Sequence, residues 1–274
     1  MPTPVIRSVH VHPVKSARGY APDEAVVEPW GLAGDRRWML VDAGWRTVTQ
    51  RQQARLALAE VEQLDDGAVR LSAPGHERLT VAVPEPAGAT PVELFGDKVE
   101  AVPAGNAPDA WFSDFLGVPV RLVYLHDPAY GRPIDPEYAQ PGETVSFADG
   151  YPLLIVSASS LDALNSLIAH GDHPEEGPLP MNRFRPNLVV EGTGPWAEDD
   201  WKRIAVGEVT FRVPRPSGRC VITTTDQTTA ERGREPLRTL GRHRRFGDRL
   251  VFGQNLVPEN TGTVRVGDPV RILA

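Results

Sequence analysis

Hydrophobic and polar positions alternate along most of this chain. "VIRSVHVHPVK", from Val5 to Lys15, sets Val9 and Val11 on one face and His10 and His12 on the other. That period of two marks a strand with one polar face. "DRRWMLVDAGWRTVTQRQ" predicts a strand pair that turns at Ala43-Gly44, and "GAVRLSAP", "RLTVAVP", "PVELFG" and "KVEAVPA" add short strands at the spacing of barrels and sandwiches. The period then changes. "NAPDAWFSDFLG" brings Trp111, Phe112, Phe115 and Leu116 to one helical face, with Asn106 placed to cap and Gly117 just past the end. After the strand "PVRLVYL" and the Pro-rich loop "HDPAYGRPIDPEYAQPGE", Gly150-Tyr151-Pro152 leads into a buried strand, "LLIVS". A second helix follows in "SSLDALNSLIAHG", where Leu161, Leu164, Leu167 and Ile168 line one side, a serine caps the start and Gly171 ends it. "RPNLVVEG", "RIAVGEVTFRV", "CVITTTD" and "GTVRVGDPVRIL" predict further strands, the last broken at Gly267-Asp268-Pro269 as in the closing strands of a small barrel. The pattern predicts a mainly β fold with a few helices, divided near a change of composition into residues 1–120 and 121–274.

Composition agrees with that picture and narrows the function. The chain has 274 residues, 41% hydrophobic and 24% charged, enough apolar material for a substantial core. Its 27 prolines and 25 glycines are scattered, which suits many turns better than a helical bundle. A formal net charge of −7 argues against nucleic acid or an anionic membrane as partner. One local exception, "RTLGRHRRFGDR", gathers Arg238, Arg242, Arg244 and Arg245 around His243, either as a solvated basic loop or as a dock for an acidic partner or phosphate. No apolar run approaches the roughly 20 residues that span a bilayer, and the first residues lack a signal-peptide pattern, so the cytoplasm is the expected compartment. "HGDHPEEG", with His170, Asp172, His173 and Glu175, reads as a polar loop rather than a metal site.

The chemistry narrows to one atom. Cys220 is the only cysteine, which forbids an internal disulfide, an iron–sulfur cluster or a Cys-rich zinc site in this chain. Gly-rich phosphate loops, zinc-protease helices and the Gly-x-Ser-x-Gly elbow are absent. Taken alone, a free cysteine is a small buried hydrophobe. In "RPSGRCVITTTDQ", however, Arg219 favours the thiolate, and Pro216-Ser217-Gly218 sets Cys220 beyond a turn at the start of a strand. A thiolate there is either a nucleophile or a soft-metal ligand.

"GRCVITTTDQ", preceded by "RFRPNLVVEG" and followed by "GQNLVPENTGTVRVGDPVRIL", resembles the MOSC domain, named after the C-terminal part of molybdenum cofactor sulfurase. The N-terminal "VHPVKSARGY…WGLAGDRRWMLVD…RQ" is similar to the β-barrel domain that precedes it in the branch containing the mitochondrial amidoxime reducing component. The resemblance implies two β-barrel-type domains with a molybdenum cofactor between them, and Cys220 as the metal ligand. Because the dithiolene of that cofactor already supplies soft sulfur, one protein thiolate suffices. The resemblance also implies that Lys15, Ser16, Arg36, Arg185, Asn187 and Arg219 hold the cofactor, Arg gripping phosphate as a planar fork and Lys as a point charge. Read without it, Lys15 is a lysine at a strand end. Asp226 matches an acidic position and is expected either near the substrate or capping a turn. Gly218 and Gly150-Tyr151 depart from the hydroxyl residues usual at these places. The implied activity is reduction of N-hydroxylated small molecules or related N- or S-oxides, with electrons from a separate flavin or iron–sulfur donor protein. Two other readings stay open. One makes Cys220 a persulfide sulfur carrier, although this chain has no pyridoxal-phosphate domain to generate the sulfur. The other is a non-enzymatic protein that stores or delivers the cofactor.

Overall fold

A computed structural model describes residues 3–274. The fold is mainly β, with three α-helices. Two curved sheets dominate. In the larger, Val5–Val9 pairs antiparallel with Leu188–Glu191, which runs parallel to Leu153–Ser157. The path continues through the long strand Arg249–Pro258, then Val209–Arg212, Arg203–Val206 and Val270–Ile272. A bridge between Val5 and Pro269 brings the two ends together, so this sheet is a nearly closed barrel. Its inward positions, among them Ile6, Val9, Ile155, Leu188, Val206 and Phe211, form one continuous core. Closure leaves few open edges, the usual way an antiparallel sheet protects its unpaired backbone groups.

The second sheet runs Thr47–Val48, Trp38–Val41, Arg121–Tyr124, Asp97–Pro103 and Thr90–Leu94. The turn at Ala43-Gly44 joins its first two strands, with Leu40 opposite Val48. A three-stranded sheet, Glu60–Gln63, Val69–Ala73 and His76–Val81, packs with the helix Asn106–Leu116 over Trp38 and Leu122. In that helix Phe112, Phe115 and Leu116 are buried and Trp111 is half-buried, as the 3.6 period requires. Its cap differs from expectation: Asn106 is already helical, Gly105 holds the cap position with φ near +101°, and no side chain caps the turn. Gly117 ends it in the left-handed conformation, its N–H bonded to Ser113. Likewise Ser157 precedes the helix Ala158–Ala169, but its hydroxyl pairs with Ser159 and Thr193 instead of capping.

Strands are exchanged between the halves. Val5–Val9 belongs to the large barrel, Glu24–Glu28 pairs with Gly262–Arg265, and Arg121–Tyr124 sits centrally in the smaller sheet. The segment after Val9 therefore crosses from one barrel to the other. The His10 amide bonds to the carbonyl of Asn187 on one side, and the Lys15 amide to Trp38 on the other, each at 2.8 Å. His12, expected on a polar face, is instead buried in this crossing.

"CVITTTD" is not a strand. The strand precedes the cysteine, as Pro216–Gly218 against Arg249–Pro258, and Val221–Thr224 is a single 3₁₀ turn. The hydroxyls of Thr223 and Thr224 bond back to the carbonyls of Cys220 and Val221, both at 2.8 Å. Such local bonds offer threonine backbone an alternative to a ladder, and its β-branched pattern hides them from a periodicity reading. The basic stretch also folds: Leu237–His243 is a helix that packs through Leu240 into the cluster with Ile168 and Phe252.

Candidate functional site between the two barrels

A cavity of about 150 Å³ opens where five chain segments meet: the crossing at Lys15-Ser16, the turn at Arg36, residues 148–151, the loop from Arg183 to Asn187, and Ser217 to Thr223. Its wall contains every residue expected to hold the cofactor, Lys15, Ser16, Arg36, Arg185, Asn187 and Arg219, together with Cys220. Asp226 is not among them. Its carboxylate accepts from the amides of Thr228 and Thr229 and from Arg183, at 2.7, 3.0 and 2.9 Å, so it caps its turn and positions Arg183.

The backbone is bent to serve this place. Seven non-glycine residues have positive φ among those described, and Ser16 (67°), Arg36 (48°) and Arg185 (53°) are three of them. A side chain pays for this conformation, and such outliers concentrate at functional sites. Asp35, almost fully buried, holds the turn by accepting from the His12 amide at 2.7 Å and from Arg36. Arg36 also donates to Asn187 Oδ1 at 3.1 Å and to the Arg185 carbonyl at 3.3 Å. Asn187 in turn bonds to the Leu154 amide and the His10 carbonyl, each at 3.2 Å. This network ties the two halves of the chain across the cavity.

Charge is out of balance here. Lys15, Arg36, Arg183, Arg185 and Arg219 line the cavity, against the single carboxylate of Asp149. Burial, reinforced by Arg36, pushes the Arg185 guanidinium down to about 9, and burial pushes Arg219 down to about 10 despite the opposing pull of Cys220. Burial also lowers Lys15, whose ammonium donates to Asp149 and to the Phe147 carbonyl at 2.7 Å. Desolvation opposes ionisation of Asp149, but Lys15, Arg51 and Arg36 outweigh it and hold its carboxyl well below the usual range. Arg185 bonds through Nη1 to the Ala17 carbonyl at 2.7 Å, and its Nη2 is buried with no partner. A buried, under-paired guanidinium is costly unless an anion completes it.

Cys220 Sγ accepts from Arg51 Nη2 at 3.4 Å, whereas Arg219 turns its fork to Ser217 and the Phe184 carbonyl. Arg51 was missed by sequence reasoning, although it stands in the "RQ" of the N-terminal motif; 169 positions separate it from the sulfur. Asp149 and Arg183 were missed too: Arg183 opens the motif "RFRPNLVVEG", whereas Asp149 carries no periodic or motif signal. A Cβ at Gly218 would meet only Arg249 Cδ, at 3.7 Å, so a hydroxyl residue has room where this chain has glycine.

The donor set fits a molybdenum–pterin cofactor. Lys15, Arg36 and Arg183 are already paired with Asp149, Asp35 and Asp226, but Arg185 and Arg219 have no carboxylate partner among the described residues. With the orphaned Arg185 Nη2 they call for an anionic group such as phosphate, and one accessible thiol offers a soft ligand to a metal that brings its other sulfurs. Among the described residues, the one cluster of three or more His, Cys or acidic ligands is His173, Glu175 and Glu176. There Glu176 accepts from the amides of Arg234 and Glu235, which gives it a structural task. In the basic stretch Arg238 and Arg242 pair with Asp172, and Arg244 packs on Trp196 and pairs with Asp199, leaving His243 and Arg245 exposed.

His12 gives the crossing a pH dependence. Burial, with Arg185 and Arg36 nearby, holds its imidazole well below the ordinary 6.5. Below about pH 6.5 the unfolded chain binds a proton that the folded chain refuses, so stability falls as pH drops and is level above. In denaturant titrations from pH 7.5 to 5.5, His12→Gln is expected to remove a slope of up to about 1.4 kcal/mol per pH unit that the wild type shows. Equal slopes would exclude His12 as the linked group.

Two barrel-type halves joined by exchanged strands, with a cation-lined cavity and one thiol between them, define a β protein with a candidate site between its halves. Sequence comparison then places it: the chain belongs to the MOSC family, matching the MOSC N-terminal beta barrel domain over residues 3–119 and the MOSC domain over residues 142–271. It is 32% identical to human mitochondrial amidoxime-reducing component 1, over 98% of this chain and 82% of the relative. Identity to mitochondrial amidoxime reducing component 2 of Rattus norvegicus is 30%, over 97% of this chain and 82% of the relative. It is 28% identical to the molybdenum cofactor sulfurase of Oryza sativa subsp. japonica, over 90% of this chain and 32% of that longer protein.

Proposed function

We propose that this protein is a molybdenum-dependent oxidoreductase that reduces N-hydroxylated small molecules, or related N- or S-oxides, with electrons from a separate flavin or iron–sulfur donor protein. The observation that carries the proposal is a single half-buried thiol, hydrogen-bonded by Arg51, on the wall of a cavity with five cations and one carboxylate. Similarity over nearly the whole chain to the amidoxime-reducing components supplies the reaction class. With a lone cysteine and no helix among the described residues long and apolar enough to cross a membrane, the cytoplasm remains the proposed compartment.

The overall change breaks an N–O bond, or an S–O bond in an S-oxide: the substrate takes up two electrons and two protons, and its oxygen leaves as water. When bound, the cofactor supplies the two-electron chemistry. Cys220 would bind the metal, while Lys15, Arg36, Arg185 and Arg219 would hold the phosphate end. Ser16 and Asn187 shape the wall, Asn187 by fixing Arg36. Arg51 donates to the sulfur, and hydrogen bonds to ligating sulfur tune redox potentials in metal sites.

The test is purification from a host that makes molybdenum cofactor, with molybdenum and pterin assayed together. Near-stoichiometric metal, and turnover of an amidoxime with an artificial reductant, are expected. Bound cofactor without turnover under any reductant would favour the storage reading. A sulfur-carrier role is favoured by the likeness to the rice sulfurase; it predicts a persulfide on Cys220 after incubation with a cysteine desulfurase, and no bound metal.

A further inference from the structure

The hairpin between Thr90–Leu94 and Asp97–Pro103 turns in two residues, Phe95 and Gly96, with Leu94 opposite Asp97. Their φ angles are +55° and +91°. Turns of this kind favour Asn-Gly or Asp-Gly, because the first position must also tolerate positive φ. A bulky aromatic there is a true outlier. Core packing does not compensate it, for Phe95 is 46% exposed.

Its surroundings are cationic. Lys15 Nζ lies 5.1 Å from the ring centroid, the Arg132 guanidinium 5.3 Å and that of Arg51 5.4 Å. Lys15 lines the cavity, and Arg51 reaches both Cys220 Sγ, at 3.4 Å, and Asp149, at 3.8 Å. Arg132 donates to the carbonyls of Ala148 and Asp149, on the same wall. The ring is not itself in the cavity wall but stands beside it, over these cations and one side chain, Arg51, from the sulfur, with the rest of its surface open. It is the fourth positive-φ residue gathered around this one cavity.

We propose that Phe95 is the substrate platform of the site, stacking flat, neutral, conjugated N-hydroxylated compounds such as aryl amidoximes. The inference rests on the reductase reading and adds to it a residue that sets specificity. Shape and charge both argue for it. An exposed ring accepts a planar conjugated partner in offset or edge-to-face contact. The three flanking cations repel cationic ligands and tolerate neutral ones. An amidoxime is a weak base and arrives neutral. The amidine left after N–O cleavage is a strong base, is protonated at neutral pH, and is therefore expelled by the same cations.

The test uses the cofactor-loaded protein and two substrates, benzamidoxime and acetamidoxime. Phe95→Asn removes the ring and suits the turn, and Phe95→Tyr keeps the ring. In Phe95→Asn the aryl-to-alkyl ratio of kcat/KM is expected to fall about five- to tenfold, the range an aromatic pair supplies, through KM for the aryl substrate and with molybdenum content unchanged. Phe95→Tyr is expected to restore the ratio. An unchanged ratio in Phe95→Asn overturns the proposal. Should the wild type reduce neither compound, the reductase reading fails, and binding of benzamidoxime measured by calorimetry decides the platform separately. Binding lost in Phe95→Asn and kept in Phe95→Tyr upholds it. Equal binding by wild type and Phe95→Asn, or none by either, overturns it.

Discussion

Cys220→Ser is expected to leave the fold intact and empty the site of metal. The thiol is only half-buried, makes no core cluster contact and accepts one hydrogen bond from Arg51. Replacing it with a slightly smaller hydroxyl is expected to change stability by less than about 0.5 kcal/mol, as for surface substitutions generally. A hydroxyl is a hard, poorly ionised ligand, however, and cannot stand in for a thiolate toward a soft-ligated metal. Molybdenum content is expected to fall to a minor fraction. Amidoxime reduction per protein is expected to drop at least about 100-fold, some 2.7 kcal/mol in the barrier. Pterin retention separates two roles for the wall: if Lys15, Arg36, Arg185 and Arg219 hold the phosphate end, part of the pterin stays. Elemental analysis, fluorescence of the oxidised pterin and a denaturation curve, taken on one preparation, check all three. A variant that unfolds, or one that keeps its metal and activity, would return Cys220 to the role of a core thiol.

The second large effect has opposite signs in stability and function. Arg185→Met is expected to make the cofactor-free protein as stable as the wild type or more stable, by up to about 2 kcal/mol, while cofactor retention falls more than tenfold. The guanidinium is buried, pushed down to about 9 by that burial and by Arg36, and leaves Nη2 without a partner. Replacing an imperfectly satisfied buried charge with an apolar side chain of similar reach is often neutral or stabilising. The losses are the Nη1 bond to Ala17 and whatever the cation holds when the site is filled. Backbone strain at φ 53° is the same for both residues and cancels. Melting temperatures of the empty proteins, set beside pterin content of the loaded ones, read the two signs independently. A large loss of stability in the empty Arg185→Met protein would make Arg185 a structural residue instead.

Alternation along the chain was enough to place most strands and both amphipathic helices, because period and burial are local properties of a half-buried element. It missed Glu24–Glu28, Glu60–Gln63 and the longest strand, Arg249–Pro258, whose middle is buried on both faces and so does not alternate. Other failures fell where local side-chain bonding replaces periodicity. "CVITTTD" has a strand's composition, yet its threonine hydroxyls fold it into a 3₁₀ turn, and Asp226 is spent on its own turn and on Arg183. The helix Leu237–His243 was hidden by its arginines, two of which bind Asp172, a residue in the other loop read as merely polar.

The sequence by itself determined the mainly β class and that a single thiol is present to serve as a soft ligand, since a count of one cysteine needs no geometry. Ordered motifs further marked the residues that line the cavity beside it. Only the tertiary structure decided which side chains meet the sulfur. Arg51 comes to Cys220 across 169 positions, and Lys15 to Asp149 across 134, through strands exchanged between two barrels. Phe95 joins them from a hairpin tip that the alternating pattern placed at the end of the strand "PVELFG". The physical reason is range: alternation records which face of a strand is buried, whereas barrel closure and strand exchange set which faces confront one another, and neither leaves a period in the chain.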